Sequence, residues 1–248
     1  LFAVCAGDVV SSALGSILAG RKGERRRAYG RGRKYYRRLF YIFFVHSNIL
    51  YAARPFLYAA RSQNFLRGST IYGMKVCVVA GAAKALPECE LALFGFDFLG
   101  EVDYESELAG KTDKFEEAAR LSRAHSCGVI CACKTLSRGI VRKSAAVADR
   151  GKLLGITDMN HVFGGENYKS GAFLGLYQVG GCKVGLVIEN DIYFPEGVRA
   201  LASCGCNLIA AFREEVRDFM PPLLARAYAY LYGVPVVMCA GKTAYFAE

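Results

Sequence analysis

The stretch "KVGLVIENDIYFPEGVRALASCG", Lys183 to Gly205, does most to limit what this chain can fold into. Its first part is apolar at nearly every position up to Ile188, the pattern of a strand covered on both faces rather than one. Pro195 and Gly205 then bracket a helix, because Pro suits the first helical turn and Gly the left-handed residue that closes the last. A strand buried on both faces and followed at once by a helix calls for a layered α/β architecture. Between the two lie Glu189 and Asp191, carboxylates at the end of a buried strand, where many enzymes of this architecture hold a nucleophile.

The remainder of the chain from Met74 repeats the alternation. "KVCVVAG" reads as a first strand. "TDKFEEAARLSRAHSCG" reads as a helix, with Asp113 as its cap, Glu116 three residues later and Gly128 as its stop. "VICACKTL" is a strand, and "KSAAVADRGKLLGI" is a hairpin turning at Asp149, Arg150 and Gly151. A polar loop, "TDMNHVFGGENYKSG", leads to the opening stretch. A strand "CNLIAA", a helix "PPLLARAYAYLYG" with Pro222 near its start, and a strand "VPVVMCAG" follow. Residues beyond Gly241 are too few to close another unit.

Charge divides the chain in two. The net charge of +10 sits entirely in Leu1 to Gly73, which holds 13 Lys and Arg against Asp8 and Glu24. From Met74 onward 19 basic residues face 20 acidic ones, so the second region gives no reason to expect a polyanion partner. The first region has no methionine, and Met74 opens an ordinary strand, the pattern of a coding sequence extended upstream of its true start. Residues 1–73 are therefore expected to be a basic, disordered or non-native segment, and 74–248 the folded domain. Arg21 to Arg38 interleaves basic residues with Tyr and Gly and suits phosphate backbones, but only if that segment is native. The apolar run Leu39 to Tyr51 is shorter than the ~20 residues of a spanning helix, so no membrane span is expected.

Seven of the ten cysteines, Cys77, Cys127, Cys131, Cys133, Cys182, Cys206 and Cys239, lie in or beside strand-like runs. That is the usage of buried thiols in a reducing cytoplasm. "CGVICAC" carries zinc-ligand types without the paired CxxC spacing, and alternation would aim Cys131 and Cys133 at one face; no metal is expected.

Three islands, in order, resemble the nitrilase or carbon-nitrogen hydrolase superfamily. "ECELALFGF" is similar to the family's Pro-Glu-Leu-x-Leu-x-Gly-Tyr stretch, with Glu90 in the general-base position. "GKLLGITDMNHVFGGENYKSG" is similar to its Gly-x-x-x-Gly-x-Tyr-Arg-Lys-x-His-Leu-Phe loop, with Met159 in the lysine position and His161 and Phe163 matching. The opening stretch is similar to the nucleophile elbow Ile-Cys-Tyr-Asp-x-x-Phe-Pro-Glu-x-x-Arg-x-Leu. Asp191, Phe194, Pro195, Glu196, Arg199 and Leu201 match it, and Glu189 stands in the cysteine position.

The resemblance implies an α-β-β-α sandwich and a cofactor-free attack by a cysteine thiolate on an amide or nitrile carbon. In that chemistry a glutamate moves the proton and a lysine faces the developing negative charge. Glu90 retains the base. Glu189 is no thiolate and Met159 no cation, so hydrolysis of the family type is not expected. Cys182, seven strand residues before Glu189, lies ~23 Å away and is no substitute.

Glu166 matches a second glutamate that accompanies the family lysine, His161 and Asn190 are candidate substrate contacts, and Asp191 suits the turn before the helix. The sandwich is expected to be incomplete, because about ten residues separate the first strand from Glu90 and few follow Gly241. Four alternatives remain: a hydrolase of a small amide or nitrile through an altered site; an acidic pocket, formed by Glu90 and Glu189, binding a cationic amine or metal ion; a homo-oligomeric assembly subunit; and a nucleic-acid binder through residues 21–38.

Overall fold

The computed structural model describes residues 65–71, 73–80 and 86–248. The basic run, its proposed nucleic-acid contacts and the apolar run Leu39 to Tyr51 lie outside the described residues. Among the described residues twelve strands form two sheets. The first contains β1 (Phe65–Ile71), β2 (Met74–Ala80), β3 (Leu91–Phe94), β5 (Gly128–Ser137), β6 (Ile140–Asp149) and β7 (Lys152–Asp158) in spatial order, and β4 (Glu101–Asp103) pairs with β5. The second runs β12 (Thr243–Ala247), β11 (Val236–Ala240), β10 (Leu208–Arg213), β9 (Cys182–Ile188), β8 (Leu176–Val179).

Alternation of side chains along these strands produces four layers. Leu186, Ile188, Leu208, Ala210 and Val237 of the second sheet meet Val76, Val78, Leu91, Leu93, Ile130 and Val147 of the first in one core between the sheets. The other face of the first sheet packs Cys77, Phe94, Val129, Cys131 and Cys133 against helix α1 (Phe96–Leu99) and helix α3 (Lys114–Ala124). The other face of the second packs Val187, Ile209 and Met238 against α4 (Pro195–Ser203) and α5 (Met220–Tyr232). A short helix, α2 (Tyr104–Leu108), precedes α3. The outcome is the α-β-β-α sandwich that the resemblance implies, with Cys131 and Cys133 on one face as alternation requires.

The hairpins turn tightly. Arg138–Gly139 joins β5 to β6 and Arg150–Gly151 joins β6 to β7, and all four residues have positive φ, between 47° and 84°. Paired positive φ values give the turn whose twist matches that of the flanking strands.

Four expectations change. β1 lies upstream of Met74 and pairs antiparallel with all of β2, so the sheet begins inside the basic segment. A final strand, β12, follows Gly241 and pairs with β11. Asp113 precedes α3 without capping it: the Glu107 carboxylate accepts from the backbone amides of Lys114 (3.1 Å) and Phe115 (3.3 Å), while Asp113 pairs with Arg120. Gly128 is not the helix stop but the first residue of β5, where a Cβ would lie 2.0 Å from Val179 Cγ1.

Candidate active site

β9 ends at Ile188 and the chain turns through one 3₁₀ segment, Glu189–Tyr193, before α4. Glu189 has φ 49°, a left-handed conformation that a side chain with a Cβ rarely adopts. This sharp turn projects the residue from the end of the strand into a cavity of about 190 Å³, lined among others by Lys143, Glu166, Glu189, Asn190, Arg213 and Glu214.

The Glu189 carboxylate is buried and paired. Oε1 accepts from the Glu214 backbone amide at 2.6 Å and lies 3.3 Å from Lys143 Nζ. Oε2 lies 3.7 Å from the Arg213 guanidinium, which also donates to the Glu189 carbonyl at 2.8 Å. Register explains the meeting: Phe212 pairs with Ile188 across β10 and β9, so Arg213 and Glu214 emerge beside Glu189.

Lys143 arrives from the other sheet. It stands directly opposite Lys134 in the β5–β6 ladder, an arrangement of like charges that is unfavourable unless neutralised. Glu214 neutralises both, with Oε1 2.7 Å from Lys134 Nζ and Oε2 3.2 Å from Lys143 Nζ. Lys143 also sits 4.9 Å from the centre of the Tyr168 ring. Burial pushes the Glu214 carboxyl up, but the hydrogen bond from Lys134 and the charge of Lys143 outweigh it and hold it below the usual carboxylate range. The hydrogen bond to Glu214 raises the Lys134 ammonium above the usual lysine range.

The other candidate residues separate into three places. Glu166 lines the cavity and accepts from Asn190 Nδ2 at 2.9 Å, which fixes a buried amide against the elbow. Asp191 points away from the cavity. Its carboxylate accepts from the backbone amides of Asn160 (3.1 Å) and His161 (2.9 Å) and lies 2.8 Å from His161 Nδ1. The His161 ring stacks on Phe194 at 3.7 Å, so Asp191 and His161 pin the loop after β7 to the elbow. Met159 is fully buried in the core between the sheets, and its amide donates to the Lys143 carbonyl at 2.7 Å.

Glu90 is not brought to this site. It lies exposed before β3, its carboxylate accepting from the Lys75 amide at 2.9 Å and its carbonyl accepting from the Gly128 amide at 2.9 Å. A Cβ at Gly180, two residues before β9, would lie 3.5 Å from the Glu90 carbonyl oxygen, which places Glu90 beside the start of β9. Glu189 follows the end of that strand, ~23 Å further on. The cause is the short link after β2. Leu91–Phe94 fills the parallel slot between β2 and β5, and Glu90, the residue before it, stands at the strand's entrance. The pocket of two unneutralised carboxylates without a lysine, expected from convergence of Glu90 and Glu189, is therefore not formed.

Lys143, Arg213 and Glu214 are the residues that sequence reasoning missed. Arg213 and Glu214 carry a visible signal, two charges directly after the apolar run "LIAAF" on the strand beside the elbow. Lys143 carries none, since its role depends on which sheet faces β9.

A layered sandwich whose buried strand ends in a left-handed residue and a helix defines a hydrolase-type α/β fold with a nucleophile elbow. The carbon-nitrogen hydrolase family model matches residues 69–244, and the chain belongs to that family. Solved structures agree in fold. A variant of an amidase from Nesterenkonia sp. AN1, of the nitrilase superfamily, superimposes with TM-score 0.54 at 18% identity, covering 70% of this chain and 77% of that one. The NitN amidase from the same organism gives TM-score 0.52 at 20% identity over 64% of this chain and 69% of that one. Another variant of the Nesterenkonia amidase, with acrylamide added at its active-site cysteine, gives 0.50 at 18% identity over 63% and 69%. No curated protein sequence matches.

Proposed function

We propose that this carbon-nitrogen hydrolase domain does not hydrolyse amides or nitriles, and that its elbow serves as the anchor of an ion network joining the two sheets. The observation that carries this reading is the engagement of Glu189: its carboxylate oxygens face the Glu214 amide, Lys143 and Arg213. No Cys, Ser or Thr lines the cavity among the described residues. A carboxylate already matched by two cations is a weak nucleophile and offers a cationic ligand little unpaired charge.

The test is a panel of small amides, nitriles and carbamoyl compounds assayed with the parent chain. No turnover above the uncatalysed background is expected, and measurable turnover by the parent overturns the reading. The Met159→Lys, Glu189→Cys double variant is expected to stay inactive, because Glu90 lies at the far end of the sheets; a gain of activity would show instead that Glu90 reaches the site.

A second reading, as a homo-oligomeric subunit, rests on α5. Phe219, just before this helix, is 73% exposed, Leu223 43% and Tyr230 87%, and their spacing puts them on one face. Light scattering is expected to give a multiple of the chain mass that falls to one chain in Leu223→Lys, Tyr230→Lys. A monomeric parent removes this reading.

A further inference from the structure

The end of the sheets far from the elbow carries a different chemistry. Three thiols pack into one layer there: Cys77 on β2 and Cys127 before β5 belong to the buried cluster on the helix side of the sheet, and Cys89 before β3 packs against it. Cys77 and Cys127 are buried, whereas Cys89 is partly exposed at the edge of their cluster. The Gly128 amide donates to the Glu90 carbonyl at 2.9 Å, so the residues following Cys89 and Cys127 are hydrogen-bonded neighbours. Neighbouring strands run about 4.8 Å apart, within the Cα separation that a disulfide spans. Among the described residues no group of three His, Cys, Asp or Glu is arranged to hold a metal ion.

We propose that Cys89 is a peroxide-reactive thiol and that Cys127 resolves its oxidised form into a disulfide. The Cys89 thiolate attacks one oxygen of hydrogen peroxide; the S–O bond forms, the O–O bond breaks, and the departing hydroxide takes a proton to leave as water. Cys127 sulfur then attacks the Cys89 sulfenic acid. The S–S bond forms, the S–O bond breaks, and hydroxide leaves with the Cys127 proton as a second water. Two thiols are oxidised by two electrons, and one peroxide is reduced to two waters.

The surroundings agree with this division of roles. The neighbouring Cys127 and Cys77 thiols lower the Cys89 thiol well below the usual range, against the effect of burial, and Cys89 in turn raises its two partners. A lowered, partly exposed thiol beside a second thiol is the microenvironment of a reactive cysteine. The contrast lies in the same sheet: burial pushes Cys133 up to about 12, and Cys131 well above its ordinary value.

The experiment treats the reduced full chain with one equivalent of hydrogen peroxide, blocks remaining thiols with iodoacetamide and maps the peptides. The parent is expected to lose about 2 Da and yield a Cys89–Cys127 cross-linked peptide that dithiothreitol abolishes. The cross-link should persist in Cys77→Ser and vanish in Cys89→Ser. In Cys127→Ser, Cys89 should instead be trapped as sulfenic acid by a cyclic 1,3-dione. Peptide mapping of the parent decides the matter even if a variant fails to fold. Oxidation confined to the exposed Cys204, or a parent cross-link joining Cys89 to Cys77, overturns the proposal.

Discussion

Glu90 and Glu189 are two glutamates in similar local sequence, each next to an apolar run, yet they occupy opposite ends of the strands and opposite physical circumstances. Glu90 precedes its strand and stands in solvent, and its carboxylate accepts one hydrogen bond, from a backbone amide. Glu189 follows its strand, is buried, and meets two cations and an amide. Position relative to the strand decides the difference. In parallel sheets the carboxyl ends of the strands open onto the crevice where sites form, and only Glu189 is delivered there.

The comparison is most easily broken at Glu189. Replacing it by alanine takes the carboxylate from Arg213 and leaves Lys143 with Glu214 alone, and removing one partner of a buried pair costs about 3–5 kcal/mol. Denaturant titration is expected to show a loss of that size, and a loss below about 1 kcal/mol would mean that the network is solvated and replaceable. The opposite end is tested through Gly128→Ala. Its new methyl group would overlap Val179, and overpacking of this kind costs about 1–3 kcal/mol, so a thermal midpoint unchanged from the parent would show that Val179 can move aside.

The third effect is smaller and depends on pH. Because the folded Glu214 carboxyl is held below its unfolded value of about 4.3, its contribution is present above that pH and is lost as pH falls through the folded value. Lys134 is raised, so its contribution is complete below the unfolded value of about 10.4 and is lost as pH rises through the folded one. Stability measured across pH should therefore fall at both extremes, and Glu214→Gln should flatten the acid limb; an identical acid limb in the variant would remove Glu214 from the network. Smallest of all is Glu90→Ala, expected to change stability by under about 0.5 kcal/mol, as for other exposed positions.

The sequence made some of this legible for definite reasons. Pro195, Gly205 and the uninterrupted apolar run before Glu189 announce strand, elbow and helix because each feature has a local cause. The Arg150–Gly151 turn was legible in the same way. Glu90 was misplaced because its immediate neighbours, "ELALFGF", match an elsewhere-familiar pattern, whereas its location depends on the shortness of the link behind it. Lys143 was invisible because its partner, Glu214, lies in the other sheet, and no periodicity in β6 records what that sheet brings. The spacing of Asp113 to Glu116 predicts a cap there, whereas Glu107, from the short helix before α3, accepts from the helix amides instead.

The positive φ of Glu189 carries one more implication. A left-handed residue costs of order 1–3 kcal/mol and persists only where its surroundings over-determine it. Here they are the buried strand behind it, the helix ahead of it and the Arg213 guanidinium on its carbonyl. The direction in which position 189 points is thus imposed by its neighbours and does not depend on which side chain occupies it. The elbow is an inherited aim, and a change of residue there alters what is presented to the cavity without altering where it is presented.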